Sequence, residues 1–114
     1  MDTAPYRARL ARELESLAEE STAAKDARAP VALDPQSVGR LSRMDALQIQ
    51  AMAQETERRR QARMAALGAA LRRIELNTFG ACLACGEDIA AKRLEFDLAT
   101  ATCIDCAGGR TPGR

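Results

Sequence analysis

The sequence predicts a mainly α-helical protein, in which an antiparallel helical hairpin (a coiled coil) is followed by a small four-cysteine zinc-finger module. Three observations predict this fold class. Apolar residues recur at helical spacing in long charged segments, only three of the 114 residues are aromatic, and all four cysteines fall into two CxxC motifs. Because so few large side chains cannot fill a thick core, the helices must pack along a narrow seam.

The first helix is predicted to begin near Thr3, a residue type that often caps helix N-termini, with Pro5 tolerated in the first turn. Its apolar residues form one stripe at helical period, namely Tyr6, Leu10, Leu14 and Leu17. Since Pro30 disfavours helical backbone in the residue before it, the helix should end near Ala29.

A second, much longer helix is predicted after a turn at residues 30–43, which contain two prolines and a glycine. It should start near Ser37 or Ser42 and continue to about Asn77, extending for roughly 54 Å. Its last third carries an apolar seam, formed by Met64, Leu67, Leu71 and Ile74. Because residues 54–63 are almost wholly polar, this helix needs a packing partner to be stable.

The first helix is the expected partner, packed antiparallel so that the numbers of facing residues sum to about 70–72. In this register Leu10 faces Ala62, and the acids Glu13 and Glu15 lie near the arginine run at 58–60. Small residues would then oppose large ones, and acids would oppose arginines. The polar middle argues against a long homodimer seam, so we expect a monomer.

The cysteines form a CxxC-x17-CxxC array, in which Cys82 and Cys85 make the first pair and Cys103 and Cys106 the second. Two such knuckles bring four thiolates to one point, as a tetrahedral Zn²⁺ requires. Gly86 follows the first pair, where the knuckle turn needs a residue that tolerates positive φ. Four cysteine ligands close the coordination shell, so one structural zinc ion is predicted.

Two alternatives to zinc are a pair of disulfides and a thioredoxin-like redox site. Residues 1–20 lack the apolar core of a signal peptide, and no stretch is long and apolar enough to span a membrane. We therefore expect a cytoplasmic protein without membrane association, in a reducing compartment where paired CxxC motifs favour metal. The βαβ pattern that accompanies a thioredoxin motif is absent.

The chain is predicted to divide into the hairpin at residues 1–77, the zinc module at 78–107 and a disordered, glycine-rich tail at 108–114. One short helical turn is expected within residues 87–92. Four apolar side chains are expected to pack around or over the metal, namely Phe79, Ile89, Leu94 and Phe96.

Charge and motif content exclude several functions. The chain has 17 basic and 16 acidic residues, with few basic residues around the cysteines, whereas nucleic-acid binders usually carry a strong basic excess. We expect no sequence-specific DNA binding, although a nucleic-acid-binding zinc finger stays an alternative. The chain has no histidine and no hydrolase or phosphate-binding motif, so we expect no enzymatic activity. A helical interaction module is a further alternative.

The segment from Thr78 to Cys106 resembles the DksA/TraR zinc-finger family of bacterial transcription regulators. The matching positions are Phe79-Gly80-x-Cys82, Cys85-Gly86, Ile89, Arg93-Leu94-Glu95 and Cys103-Ile104-Asp105-Cys106. The match covers about a quarter of the chain. The cysteine array alone fits many zinc ribbons, but the array, the internal Arg-Leu-Glu and a preceding long helix together are specific.

The resemblance implies a protein that binds RNA polymerase without needing a DNA sequence. Family members insert a coiled coil into the secondary channel, where acidic residues at its tip lie near the catalytic Mg²⁺. They alter open-complex stability, often together with the alarmone ppGpp, which is therefore a candidate effector.

This sequence departs from the family at the tip, where two aspartates three residues apart are expected. Its nearby acids are Asp34 and Asp45, and the basic residues Arg40 and Arg43 occupy much of the remaining tip. These four residues are the candidate polymerase contacts. Asp34 could equally be a turn residue before Pro35. Asp45 could simply be an acid near a helix N-terminus, where its charge interacts favourably with the helix dipole.

Overall fold

The computed structural model describes residues 2–29 and 40–108, and the fold in these ranges is mainly α-helical, as the sequence predicts. Four α-helices and one 3₁₀ helix are present in the described residues, which contain no β-strand. They are α1 (Ala4–Ala23), the 3₁₀ helix (Asp26–Arg28), α2 (Arg40–Glu75), α3 (Ala91–Phe96) and α4 (Ile104–Ala107). Helices α1 and α2 form the hairpin, and the molecule is 64 Å along its longest axis.

Helix α1 begins where it was predicted but ends earlier. The Thr3 side chain does not cap it, and the Asp2 carboxylate accepts a hydrogen bond from the Ala4 N–H instead, at 3.1 Å. At the other end, the Arg28 guanidinium donates to the Ser21 carbonyl at 2.7 Å. This hydrogen bond satisfies a carbonyl that has no intrahelical partner at the end of the helix. It therefore stabilises helix termination near Ala23.

Helix α2 ends in a Schellman motif at the predicted place. Asn77 has a φ of 59°, in the left-handed region that asparagine tolerates better than most residues. The Thr78 N–H then donates to the Arg73 carbonyl at 2.9 Å, and the Asn77 N–H donates to the Ile74 carbonyl at 3.2 Å. This tight turn sends the chain directly from the hairpin into the cysteine segment.

The predicted register of the hairpin is wrong by about two helical turns. Glu13 pairs with Arg63, and Glu20 with Arg60, so the numbers of facing residues sum to about 76–80. Ala62, predicted to face Leu10, is exposed. The same register continues past the end of α1, where the Ala29 carbonyl accepts a hydrogen bond from the Gln50 side chain at 2.7 Å. The ion pairs between the two helices and the packing at the base set this register, which helical period alone does not determine.

The core lies at the base of the hairpin, where α1 and α2 meet the cysteine segment. It is one cluster of buried apolar residues, namely Leu10, Leu67, Ala70, Ile74, Cys82, Ile89, Leu94, Leu98 and Ala99. The rings of Tyr6 and Phe79 pack beside it, with centroids 5.6 Å apart. In the described ranges, no helix has the length and hydropathy needed to cross a membrane.

Candidate metal centre and its link to the hairpin

The first cysteine knuckle is a tight turn held by backbone hydrogen bonds. The Gly86 N–H donates to the Cys82 carbonyl at 2.9 Å, and the Cys82 N–H donates to the Glu87 carbonyl at 2.8 Å. Gly86 has a φ of 79°, the positive value predicted for this position. The Ile89 N–H then donates to the Gly80 carbonyl at 2.7 Å, closing a small antiparallel loop around the two cysteines.

The second knuckle leads into the short helix α4. The Ala107 N–H donates to the Cys103 carbonyl at 2.9 Å, within a turn that carries Cys103 and Cys106 together. Leu83 of the first knuckle donates its N–H to the carbonyl of Ala101 at 2.8 Å. The two knuckles are thus joined directly through the backbone.

The sulfur atoms of Cys82, Cys85, Cys103 and Cys106 all lie within 4.8 Å of one another. The Sγ atoms of Cys85 and Cys103 are 3.8 Å apart, and all four thiols are free. Two ligands at 2.3 Å from a tetrahedral zinc ion would be about 3.8 Å apart, whereas disulfide sulfurs are about 2.05 Å apart. The cluster therefore has the donor set and spacing to bind a metal ion.

The electrostatics of the cluster also fit a cation. Hydrogen bonding from the backbone N–H of Cys103 lowers the pKa of Cys82 to about 6, which favours its thiolate. Burial and the neighbouring sulfurs raise the pKa of Cys106. Four sulfurs this close therefore cannot all ionise by themselves, and a divalent cation removes the conflict by replacing the protons.

Three of the four side chains predicted to pack around the metal are in or against the core. Ile89 and Leu94 are buried and Phe79 packs beside them, but the prediction for Phe96 is wrong, since it is 93% exposed. The reason is that the helix runs from Ala91 to Phe96 and not over residues 87–92, so that Phe96 is part of it. Positions 94 and 96 then point roughly 200° apart on the same helix.

A guanidinium on α2 connects both arms of the hairpin to the cysteine module. Arg63 donates to the Glu13 carboxylate of α1 at 2.6 Å and to Asp97 of the module at 2.9 Å. The Glu13 hydrogen bond, with help from Asp97, raises the pKa of Arg63. The same Asp97 oxygen accepts the Ala99 N–H at 3.0 Å, so the acid is fixed in place.

Two further arginines reinforce the junction. Arg9 of α1 pairs with Glu95 of α3 at 3.0 Å. Arg73 is buried in the base and donates to the Ala99 carbonyl at 3.4 Å, and its burial lowers its pKa. The sequence reasoning missed Arg63, Asp97 and Arg73, because nothing in the linear pattern distinguishes them from the other charged residues.

Farther along the hairpin, Glu57 of α2 is the centre of a polar cluster. It accepts a hydrogen bond from the Ser21 hydroxyl of α1 at 2.6 Å and forms ion pairs with Arg28 and Arg60. The Ser21 hydrogen bond and the one from Gln61 lower the pKa of Glu57 to about 2. The two helices are thus joined here by polar contacts, whereas at the base they are joined by burial of apolar side chains.

Two of the four candidate tip residues, Arg43 and Asp45, are described, and the cysteine cluster lies beyond the opposite end of α2 from them. Asp34 lies outside the described residues, and so does the side chain of Arg40, the first residue of α2. Arg43 and Asp45 are exposed in the first two turns of this helix, and neither forms an ion pair within residues 2–29 and 40–108.

A long helical hairpin on a four-cysteine base defines a recognisable class of fold. No family model and no curated protein matches the sequence. The structure, however, is similar to that of the transcription factor DksA2 from Pseudomonas aeruginosa, with a TM-score of 0.73 at 18% sequence identity. The similarity covers 91% of this chain and 78% of that chain. The protein therefore has a DksA-like fold, which confirms the architecture that the sequence resemblance implied.

Proposed function

We propose that this protein is a zinc-containing, DksA-like transcription regulator that binds bacterial RNA polymerase and modulates initiation. The observation that carries the proposal is the combination of a DksA-like fold with a four-cysteine cluster at the base of the hairpin. The hairpin would enter the secondary channel of the polymerase, so the protein would act in the cytoplasm. No catalytic step is proposed.

In this proposal the four cysteines hold one Zn²⁺ whose role is structural. Zinc with four cysteine ligands has no open coordination position for a substrate or water. The ligands come from two knuckles that belong to, or pack against, the core cluster that contains Ile89 and Leu94. Metal binding would therefore stabilise the base from which the hairpin extends.

The hairpin would deliver an acidic side chain to a place that a flexible loop could not reach. Helix α2 has 36 residues and no internal proline, so it can extend for roughly 54 Å as one rigid element. Asp45 is exposed near its beginning, far from the cysteines. Among the described residues it is the best-placed substitute for the aspartate pair that the family carries at its tip.

The direction of the hairpin would be fixed at the base. Arg63 is bound to both Glu13 and Asp97, and Arg9 to Glu95, so two ion pairs join the hairpin to the module. Because Arg63 also links α1 to α2, a rotation of the hairpin on its base would break several contacts at once. This rigidity suits a protein that must place its tip accurately.

The test is binding of the zinc-loaded protein to RNA polymerase core enzyme, followed by transcription in vitro with Asp45→Ala beside the wild type. We expect binding by both proteins and loss of the regulatory effect in the variant. Glu19→Ala is the matched control, since Glu19 is also an exposed acid but lies on α1.

Absence of polymerase binding at micromolar concentration would overturn the proposed function and leave a likeness of fold only. Binding with an unchanged effect in Asp45→Ala would keep the partner and reject Asp45 as the acting acid. Repeating the transcription assay with ppGpp tests the alarmone as an effector, and the expected result is a change in the effect of the wild type.

A further inference from the structure

The largest concentration of exposed apolar side chains in the described part of the hairpin lies near the beginning of α2. Met44, Leu47, Ile49 and Met52 are 58%, 46%, 63% and 66% exposed, and we call this set the apolar belt. Burying such side chains gains roughly 1.5–3 kcal/mol each, so leaving four of them in water is costly. Their exposure indicates a surface that a partner covers.

The belt faces away from the rest of the hairpin. At 100° per residue its members span an arc of roughly 200° around the helix. The less exposed residues Ala46, Gln50 and Ala53 lie on the opposite side. Gln50 donates to the Ala29 carbonyl at 2.7 Å. The side of α2 that carries Gln50 therefore faces the segment that follows α1. No intrachain packing in the described residues therefore explains the belt.

The width of the belt indicates what kind of surface covers it. A helix that packs on one neighbour needs an apolar stripe of about 100°, and a wider distribution is typical of a helix enclosed on several sides. A second copy of the chain would touch one side only. Stable interfaces take roughly 20–30 residues from each partner, so a dimer formed through the belt alone would be too small, whereas a cleft that surrounds the hairpin also contacts the rest of its surface.

We propose that the apolar belt is the surface by which this hairpin is gripped inside a protein cleft, with side chains of the cleft packed around the helix. The inference rests on the proposed function and deepens it, because the cleft would be the channel of the polymerase. Asp45 lies within the same arc, between Met52 and Ile49 around the helix. The belt would supply the affinity of the complex, and Asp45 would supply the regulatory effect.

The test replaces three belt residues with a polar residue of similar length and good helix propensity, in the variant Met44→Gln/Ile49→Gln/Met52→Gln. These side chains are exposed, so the fold should be retained, as checked by circular dichroism and zinc content. We expect binding to RNA polymerase core enzyme to weaken at least about tenfold. Leu76→Gln is the control, since Leu76 is similarly exposed but lies just after the other end of α2, and we expect no change in affinity there.

Hydroxyl-radical footprinting gives a second readout on the unmodified chain. We expect Met44 and Met52 to be protected when polymerase is bound, and equal labelling with and without polymerase would overturn the inference. Equal affinity of wild type and triple variant would overturn it too, while the proposed function would stand. If the wild type itself does not bind polymerase, both fail. Concentration-dependent dimerisation in sedimentation, lost in the triple variant, would assign the belt to a second copy and overturn the cleft.

Discussion

The two ends of the hairpin are built from the same two helices but are stabilised differently. We call the end that packs on the cysteine module the base, and the end around Ser21, Glu57 and the apolar belt the distal arm. At the base, Leu10 and Leu67 are each 1% exposed and pack with the cysteine module. In the distal arm, α1 and α2 are joined by a hydrogen bond from Ser21 to Glu57 and an ion pair between Glu20 and Arg60, while the apolar belt faces outward. The difference indicates that burial at the base supplies most of the stability of the fold, whereas the apolar surface of the distal arm is exposed and, in our proposal, available to a partner.

The concentration of burial at one end also explains how a chain with so few aromatic residues can fold. The buried residues concentrate at one end, where the cysteine cluster can add metal-binding free energy to a small core. The arm is held by hydrogen bonds and ion pairs that each contribute little. Its helical form must depend largely on the long helix being anchored at the base.

The largest expected effect is loss of the metal centre through Cys103→Ser. Zinc binding contributes about 10 kcal/mol or more in small zinc domains, so the variant should lose bound zinc and the ordered structure of the cysteine module. Metal content by mass spectrometry and hydrogen exchange of residues 78–108 measure both. The wild type treated with a chelator should behave in the same way. A zinc-free variant with unchanged protection would show that the base does not depend on metal.

The next largest effect is the loss of unfolding free energy when a leucine is truncated in each region, in the variants Leu67→Ala and Leu47→Ala. Leu67 lies in the core, so its truncation leaves a cavity and should cost about 2–5 kcal/mol in the free energy of unfolding. Leu47 belongs to the apolar belt, and its truncation should cost less than about 0.5 kcal/mol. Chemical denaturation of the zinc-loaded proteins measures both. Similar costs at the two positions would contradict the division between a packed base and an open arm.

The smallest effect concerns the polar contacts of the arm and depends on pH. The pKa of Glu57 is lowered from about 4.5 to about 2 by its hydrogen bonds, so its ionised form stabilises the folded state. This contribution is fully present above about pH 4.5 and is lost as the pH falls towards 2. The helix content of wild type should therefore exceed that of Glu57→Gln at pH 6, and the difference should shrink on acidification.

Circular dichroism across this pH range measures the difference, and Glu15→Gln is the control. Glu15 is exposed on α1 and forms no ion pair in the part of the chain that the structure describes. Protonation of the cysteine ligands affects all three proteins equally, so the comparison isolates Glu57. A constant difference between wild type and Glu57→Gln down to pH 3 would mean that its hydrogen bonds do not stabilise the arm.

Local patterns in the sequence determined much of this protein. The spacing of Leu10 and Leu14 predicts α1, the absence of proline predicts α2, and Asn77 marks where α2 ends, because helix period and helix termination depend on near neighbours. The cysteine array likewise predicts the cluster, since each CxxC knuckle is a local turn.

The tertiary structure decided what depends on residues far apart in the chain. The register differs from the prediction by about two turns because contacts between the helices, such as Glu13 with Arg63, select it, and helical period alone does not distinguish one register from another. Phe96 was mispredicted because a shift in where α3 begins changes which side chains face inward. The link from Arg63 to Asp97 joins charges 34 residues apart, and among 33 charged residues only the folded geometry selects that pair.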